Sequence, residues 1–89
     1  MIEVTQLVDD KRSDFVFEVE ILKSYKYTVW FSRNYYQKLT GGRIDADELV
    51  KKSFEFLSKR EPASSILPEF DLKTIAHYFP EYETEISKN

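Results

Sequence analysis

The sequence contains no cysteine. Disulfides, thiolate nucleophiles and thiolate metal sites are therefore excluded, and a cytoplasmic location is the default expectation for a chain without oxidative cross-links. Glycine and proline are scarce, two and three among 89 residues, which excludes collagen-like and linker-dominated chains. No apolar run approaches the ~20 residues needed to span a bilayer, so no membrane role is expected. Glu3 and Asp9 stand where a signal peptide would carry its basic start and apolar core, so no leader is expected either. Histidine occurs once, as His77. A lone imidazole has no second ligand or nucleophile at a useful spacing, and it reads as a surface or satisfied residue. The serines lack a nucleophile elbow or a companion base.

Aromatic residues, by contrast, make up 16% of the chain and hydrophobic residues 42%. That is enough apolar surface to offset chain entropy over most of the length. At 10.6 kDa the chain has room for one core and no second domain. The formal net charge is −3, and the charges are unevenly placed. The segment from Ile21 to Ile44 carries Lys23, Lys26, Arg33, Lys38 and Arg43 and no acid. The segment from Glu61 to Asn89 carries six acids, from Glu61 to Glu85, against Lys73 and Lys88. Two complementary segments in one small domain are expected to lie near each other and neutralise one another.

Strand periodicity is clearest over residues 15–31. Phe15, Phe17, Val19 and Ile21 form one alternating set, and Tyr25, Tyr27, Val29 and Phe31 form another. Facing residues of an antiparallel pair share a side of the sheet, and their numbers have a constant sum. Both apolar sets are odd-numbered, so the sum is even and the connecting loop holds an odd number of residues. A three-residue loop, Leu22-Lys23-Ser24, pairs Ile21 with Tyr25 and Phe15 with Phe31. On the other face it sets Glu20 beside Lys26, Glu18 beside Thr28 and Val16 beside Trp30, all favourable neighbours. Ile2, Val4 and Val8 suggest a further strand, with residues 9–14 as its loop.

The main helix is expected to start at Asp45, with Glu48 completing a capping box and Ile44 and Leu49 forming a hydrophobic staple. Leu49, Val50, Ser53, Phe54, Phe56 and Leu57 fall on one arc of the helix. Lys59 and Arg60 suit its last turn, and Pro62 ends it. Ser32 can cap a shorter helix from Arg33 to Leu39, halted by Gly41-Gly42. Residues 64–70 read as irregular. Asp71 can then cap a short helix bearing Leu72, Ile75, Ala76 and Phe79, and Tyr82 and Ile86 lie four apart in an acidic tail. This extension, residues 62–89, is expected to dock on the domain formed by residues 1–61. It either covers the sheet face holding Val16 and Trp30 or completes the core beside the main helix.

Carboxylates are plentiful but not arranged as a site. Asp45, Asp47 and Glu48 belong to a helix start and lack the EF-hand pattern. Glu18 and Glu20 share a sheet face with Lys26 and Thr28, as an ordinary ladder would place them. No catalytic residue, metal ligand or cofactor is expected, and the chain reads as a non-enzymatic protein. Two surfaces carry potential. Val16, Thr28 and Trp30, on the nominally wet face, or else an exposed strand edge, suit a protein partner or a second copy of the chain. Lys26, Arg33, Lys38 and Arg43, interleaved with aromatics, suit nucleic acid.

The stretch from Tyr35 to Glu83 resembles a set of short prokaryotic proteins without an assigned function. The matching residues are Tyr35-Tyr36-Gln37-Lys38-Leu39-Thr40-Gly41-Gly42, Glu48-Leu49-Val50, Ser53-Phe54-Glu55-Phe56-Leu57, Arg60-Glu61-Pro62, Ser65-Ile66-Leu67, Phe70-Asp71-Leu72 and Tyr78-Phe79-Pro80-Glu81-Tyr82-Glu83. More loosely, Tyr27 to Arg60 is similar to a ribbon-helix-helix repressor, in which a strand from each of two chains pairs in the DNA major groove. The order strand-strand-strand-helix is similar to the antitoxin half of the HicA/HicB type. These resemblances imply an antitoxin-like regulator as the alternative to a protein-interaction module. The fold expected is α+β, a two- or three-stranded antiparallel meander on one main helix, with short helices before it and in the C-terminal extension.

Overall fold

The computed structural model describes residues 2–9 and 14–88. The chain is α+β, in the order β1 (Ile2–Asp9), β2 (Phe15–Ile21), β3 (Tyr25–Phe31), α1 (Arg33–Thr40), α2 (Ala46–Ser58), a 3₁₀ turn (Ala63–Ser65), β4 (Glu69–Asp71), α3 (Thr74–Tyr78) and α4 (Tyr82–Ser87). The four strands form one sheet in the order β1-β2-β3-β4. The first three make an antiparallel meander.

The β2–β3 register follows the parity argument residue for residue, from Phe15↔Phe31 through Val16↔Trp30 to Ile21↔Tyr25. Its loop holds Leu22 and Lys23 at φ 56° and 59°, and the Ser24 N–H donates to the Ile21 carbonyl at 3.1 Å. Two successive left-handed residues make a primed turn whose twist matches the strands, with Ser24 as the extra residue that keeps the count odd. Tyr25 corrects the expectation that the whole odd-numbered row is enclosed. It lies at the end of the sheet and is 38% exposed. On β1, Ile2 and Val4 partner Ile21 and Val19, and the register then shifts between Gln6 and Val8 so that Val8 partners Val16. Most of the expected loop at 9–14, residues 10–13, lies outside the described residues.

Phe15, Phe17, Val19, Ile21, Tyr27, Val29 and Phe31 form one buried cluster with the apolar arc of α2. Phe17 and Phe31 stack at 5.8 Å, and Tyr27 meets Phe54 at 5.2 Å. All six arc residues of α2 are buried, and each large apolar side chain there is worth about 1.5–3 kcal/mol of transfer. The capping box is not formed. The Asp45 side chain accepts no cap hydrogen bond, and the Glu48 N–H donates instead to Asp47 Oδ1 at 2.9 Å. The helix also stops one residue short of Lys59, so neither Lys59 nor Arg60 lies in its last turn. Arg60 instead lays its guanidinium 3.6 Å over the Phe56 ring and donates to the Phe56 carbonyl. At α1, Ser32 accepts from the Tyr35 N–H at 3.0 Å, and Gly41 at φ 62° closes the helix in the left-handed region, as expected.

The C-terminal extension departs most from the sequence reading. Residues 64–70 are not irregular throughout. They include part of the 3₁₀ turn and the start of β4, a fourth strand that pairs parallel to β3. The Thr28 N–H donates to the Pro68 carbonyl at 2.8 Å, and the Leu72 N–H donates to the Trp30 carbonyl at 2.8 Å. The expected two- or three-stranded meander is thus a four-stranded mixed sheet. Of the two places open to the extension, it takes the one beside α2. Phe70, Leu72, Ile75, Tyr82 and Ile86 join the core, and Phe56 packs edge-on against both Phe79 and Tyr82.

Candidate interaction surface

Which side of the sheet a residue occupies follows from the register. Residues that partner one another across strands share a face. All the helices with buried residues contribute to a single cluster, and the buried strand residues in it are the odd-numbered ones of β2 and β3 other than Tyr25, together with Phe70. Val16 and Trp30 are outside that cluster. They partner one another on the opposite face, each half-buried. Thr28, two residues from Trp30, faces Glu18 on one side and Glu69 on the other. The three residues expected to bind protein therefore stand together on the outer face, and among the described residues no helix is packed there. β4 fixes this surface through the backbone, because hydrogen bonds from the Thr28 N–H to Pro68 and from the Leu72 N–H to Trp30 bracket the strand at these two residues. β3 itself has β2 along one edge and β4 along the other, so the strand that a ribbon-helix-helix protein would pair between chains has both edges taken.

The four bases expected to bind nucleic acid are not brought into one patch. Lys26 is exposed near the start of β3, opposite Glu20. Arg33 lies beyond the other end of that strand, about 20 Å along the chain at 3.3 Å per residue, with its guanidinium 4.3 Å over the Phe15 ring. Lys38 pairs with Glu83 at 3.3 Å. Arg43 turns back to donate to the Thr40 carbonyl at 2.9 Å and to the Ser87 carbonyl at 3.1 Å. The basic middle and the acidic end of the chain thus meet, as expected, where α4 docks on α1. Tyr35 joins them by donating to Glu83 at 2.8 Å. Burial, and then that hydrogen bond, push the Tyr35 hydroxyl well above the usual tyrosine range. Tyr36, the other ring available for stacking, is engaged with the Ile44 carbonyl at 2.6 Å and with the Phe15 ring.

Three outer-face residues escaped the sequence reading. Glu3 partners Glu20 across β1 and β2, Glu69 partners Thr28, and Asp71 partners Trp30. With Glu18 and Glu20 they make the outer face strongly acidic. The signal was present in β1, where Ile2 and Val4 share a side and Glu3 must take the other. In β4 no such signal existed, because three residues beside a proline show no usable period. A separate groove of about 220 Å³ lies between the end of α2, β4 and α3, lined mainly by Leu57, Ile66, Phe70, Ile75 and Phe79. Among the described residues no three His, Asp or Glu side chains form a metal-binding group, and no helix is long and apolar enough to cross a membrane. Comparison with protein-family models, with curated proteins and with solved structures returns no match.

Proposed function

We propose that the chain is a small non-enzymatic interaction module that works through the outer face of its sheet, with Val16, Thr28 and Trp30 at the centre. One observation carries this reading. The only tryptophan, paired with a valine, is held on the side of the sheet away from the helices, although fourteen aromatic residues were available for either side. Tryptophan on a rigid strand and ringed by polar residues is the composition of an interface centre. The bases of segment 23–43 give less support to nucleic-acid binding, since Lys38 and Arg43 are held by α4 and Lys26 stands among carboxylates.

The test compares the wild-type chain with Trp30→Glu as affinity baits and by sedimentation. The Trp30 side chain lies outside the buried cluster, so the variant is expected to keep its circular dichroism and lose a partner or an oligomer that the wild type retains. A wild type that stays monomeric at high concentration, with captured proteins identical to those of the variant, would overturn the reading. Salt-sensitive retention of duplex or single-stranded probes, unaffected by Trp30→Glu, would favour the antitoxin-like alternative instead.

A further inference from the structure

The outer face has a definite charge. Three rows of partnered residues cross the sheet: Glu3, Glu20 and Lys26; then Thr5, Glu18, Thr28 and Glu69; then Val16, Trp30 and Asp71. The face therefore carries a formal charge of −4, against −3 for the whole chain, and the rest of the molecule is close to neutral. One pairing works against the fold. Glu3 stands directly opposite Glu20, and like charges in that relation destabilise a sheet. A hollow of about 250 Å³ opens beside the pair, bounded by Glu3, Glu20, Leu22 and Lys23. Leu22, 65% exposed, gives it an apolar wall, and Lys23 brings one cation against the two carboxylates.

The size of the face limits what can occupy it. Four strands span about 15 Å, and the rows from Val16 to Glu20 cover about 13 Å along the strand. A patch of that size is well below the ~800 Å² per partner of a standard interface between globular proteins. It matches a helix about 10 Å across and a few turns long, the element that ordinarily covers a sheet face. A second copy laid face to face would set carboxylates against carboxylates, and nucleic acid or an anionic membrane would be repelled. Resting on the outer-face reading above, we propose that this surface receives a Lys/Arg-rich amphipathic helix of a partner protein. Its apolar stripe lies on Val16 and Trp30, and its cations meet Glu3, Glu18, Glu20, Glu69 and Asp71.

The probe is an 18-residue amphipathic peptide with leucine at the two core positions of each heptad and lysine elsewhere. A twin carries glutamate in place of lysine. Binding to the full chain is measured by calorimetry and by the emission of Trp30. The lysine peptide is expected to bind and the glutamate peptide not to. Glu18→Gln/Glu20→Gln is expected to weaken binding about tenfold, as loss of close charge pairs does. Glu48→Gln/Glu55→Gln, the same charge change on exposed positions of α2, should stay within about twofold. Glu3→Gln should weaken binding while raising the melting temperature, because it also relieves Glu20. Equal effects from the two double variants, or binding of neither peptide, would overturn the basic-helix proposal. Binding of the glutamate peptide that Trp30→Ala abolishes would overturn that proposal and leave the outer-face reading standing. Lysine-peptide binding unchanged by Trp30→Ala would overturn the outer-face reading itself.

Discussion

The Ser53 hydroxyl on α2 lies 2.6 Å from the Tyr82 hydroxyl on α4, both fully buried. Ser53 also donates to the Leu49 carbonyl at 2.8 Å, which leaves its oxygen to accept from Tyr82. The pair locks the last helix to the main one at a point where an unmatched hydroxyl would cost ~1–3 kcal/mol. It explains why a serine occupies the middle of an otherwise apolar helix arc.

Burial holds the Tyr82 hydroxyl well above its ordinary value of 10.0. Below pH 10 the group is protonated in both folded and unfolded chains, and its contribution to stability is complete. Above pH 10 the unfolded chain releases the proton and the folded one keeps it, so stability falls as pH rises, by about 1.4 kcal/mol per pH unit. Urea midpoints between pH 9 and 11.5 are expected to drop steeply in the wild type. In Tyr82→Phe the drop should be shallower, although that variant starts about 1 kcal/mol less stable at neutral pH. Equal slopes in the two proteins would contradict this.

The β2–β3 turn stores strain. Leu22 and Lys23 both sit at positive φ, which costs a residue with a Cβ roughly 1–2 kcal/mol. Leu22→Asn/Lys23→Gly supplies the residues that primed turns prefer. It is expected to stabilise the domain by about 1 kcal/mol, or a rise of about 4–8 °C in Tm for a domain near this size. A calorimetric scan checks it, and a lower Tm would show that the Leu22 side chain contributes more than the strain costs.

Removing residues 62–89 should abolish cooperative folding. The deletion takes away Ile66, Phe70, Leu72, Ile75, Tyr82 and Ile86, all buried, and uncovers Phe56. At about 2 kcal/mol each the loss is about 12 kcal/mol, comparable to the whole 5–15 kcal/mol that holds a small domain together. Near-UV circular dichroism of residues 1–61 is expected to be flat. A sharp thermal transition would show instead that the meander and α2 form an independent unit.

The parts of the fold that could be read in advance are those that repeat. The β2–β3 register needed only the shared odd parity of Phe15 to Ile21 and Tyr25 to Phe31, and the face of α2 needed only its 3.6-residue spacing. Val16 and Trp30 were placed on the outer face by the same parity. What escaped was set by partners distant in sequence. β4 is three residues after a proline, and its position comes from backbone bonds to Thr28 and Trp30 rather than from any pattern of its own. The Asp45–Glu48 box failed because a cap is a geometric relation, and Asp47, immediately before Glu48, took the Glu48 N–H. Glu69 and Asp71 joined the acidic face only once strand order was known, whereas the alternation of Ile2 and Val4 already placed Glu3 on the side opposite to theirs.

Parallel pairing between β3 and β4 also has a consequence for synthesis. The ribosome delivers the meander and α2 first, while the strand and helix that seal them come from the last 28 residues. Until those emerge, Phe56 lacks the rings of Phe79 and Tyr82 that cover it, and the nascent chain presents it to solvent. Chaperone dependence is thus expected to end as residue 86 clears the exit tunnel.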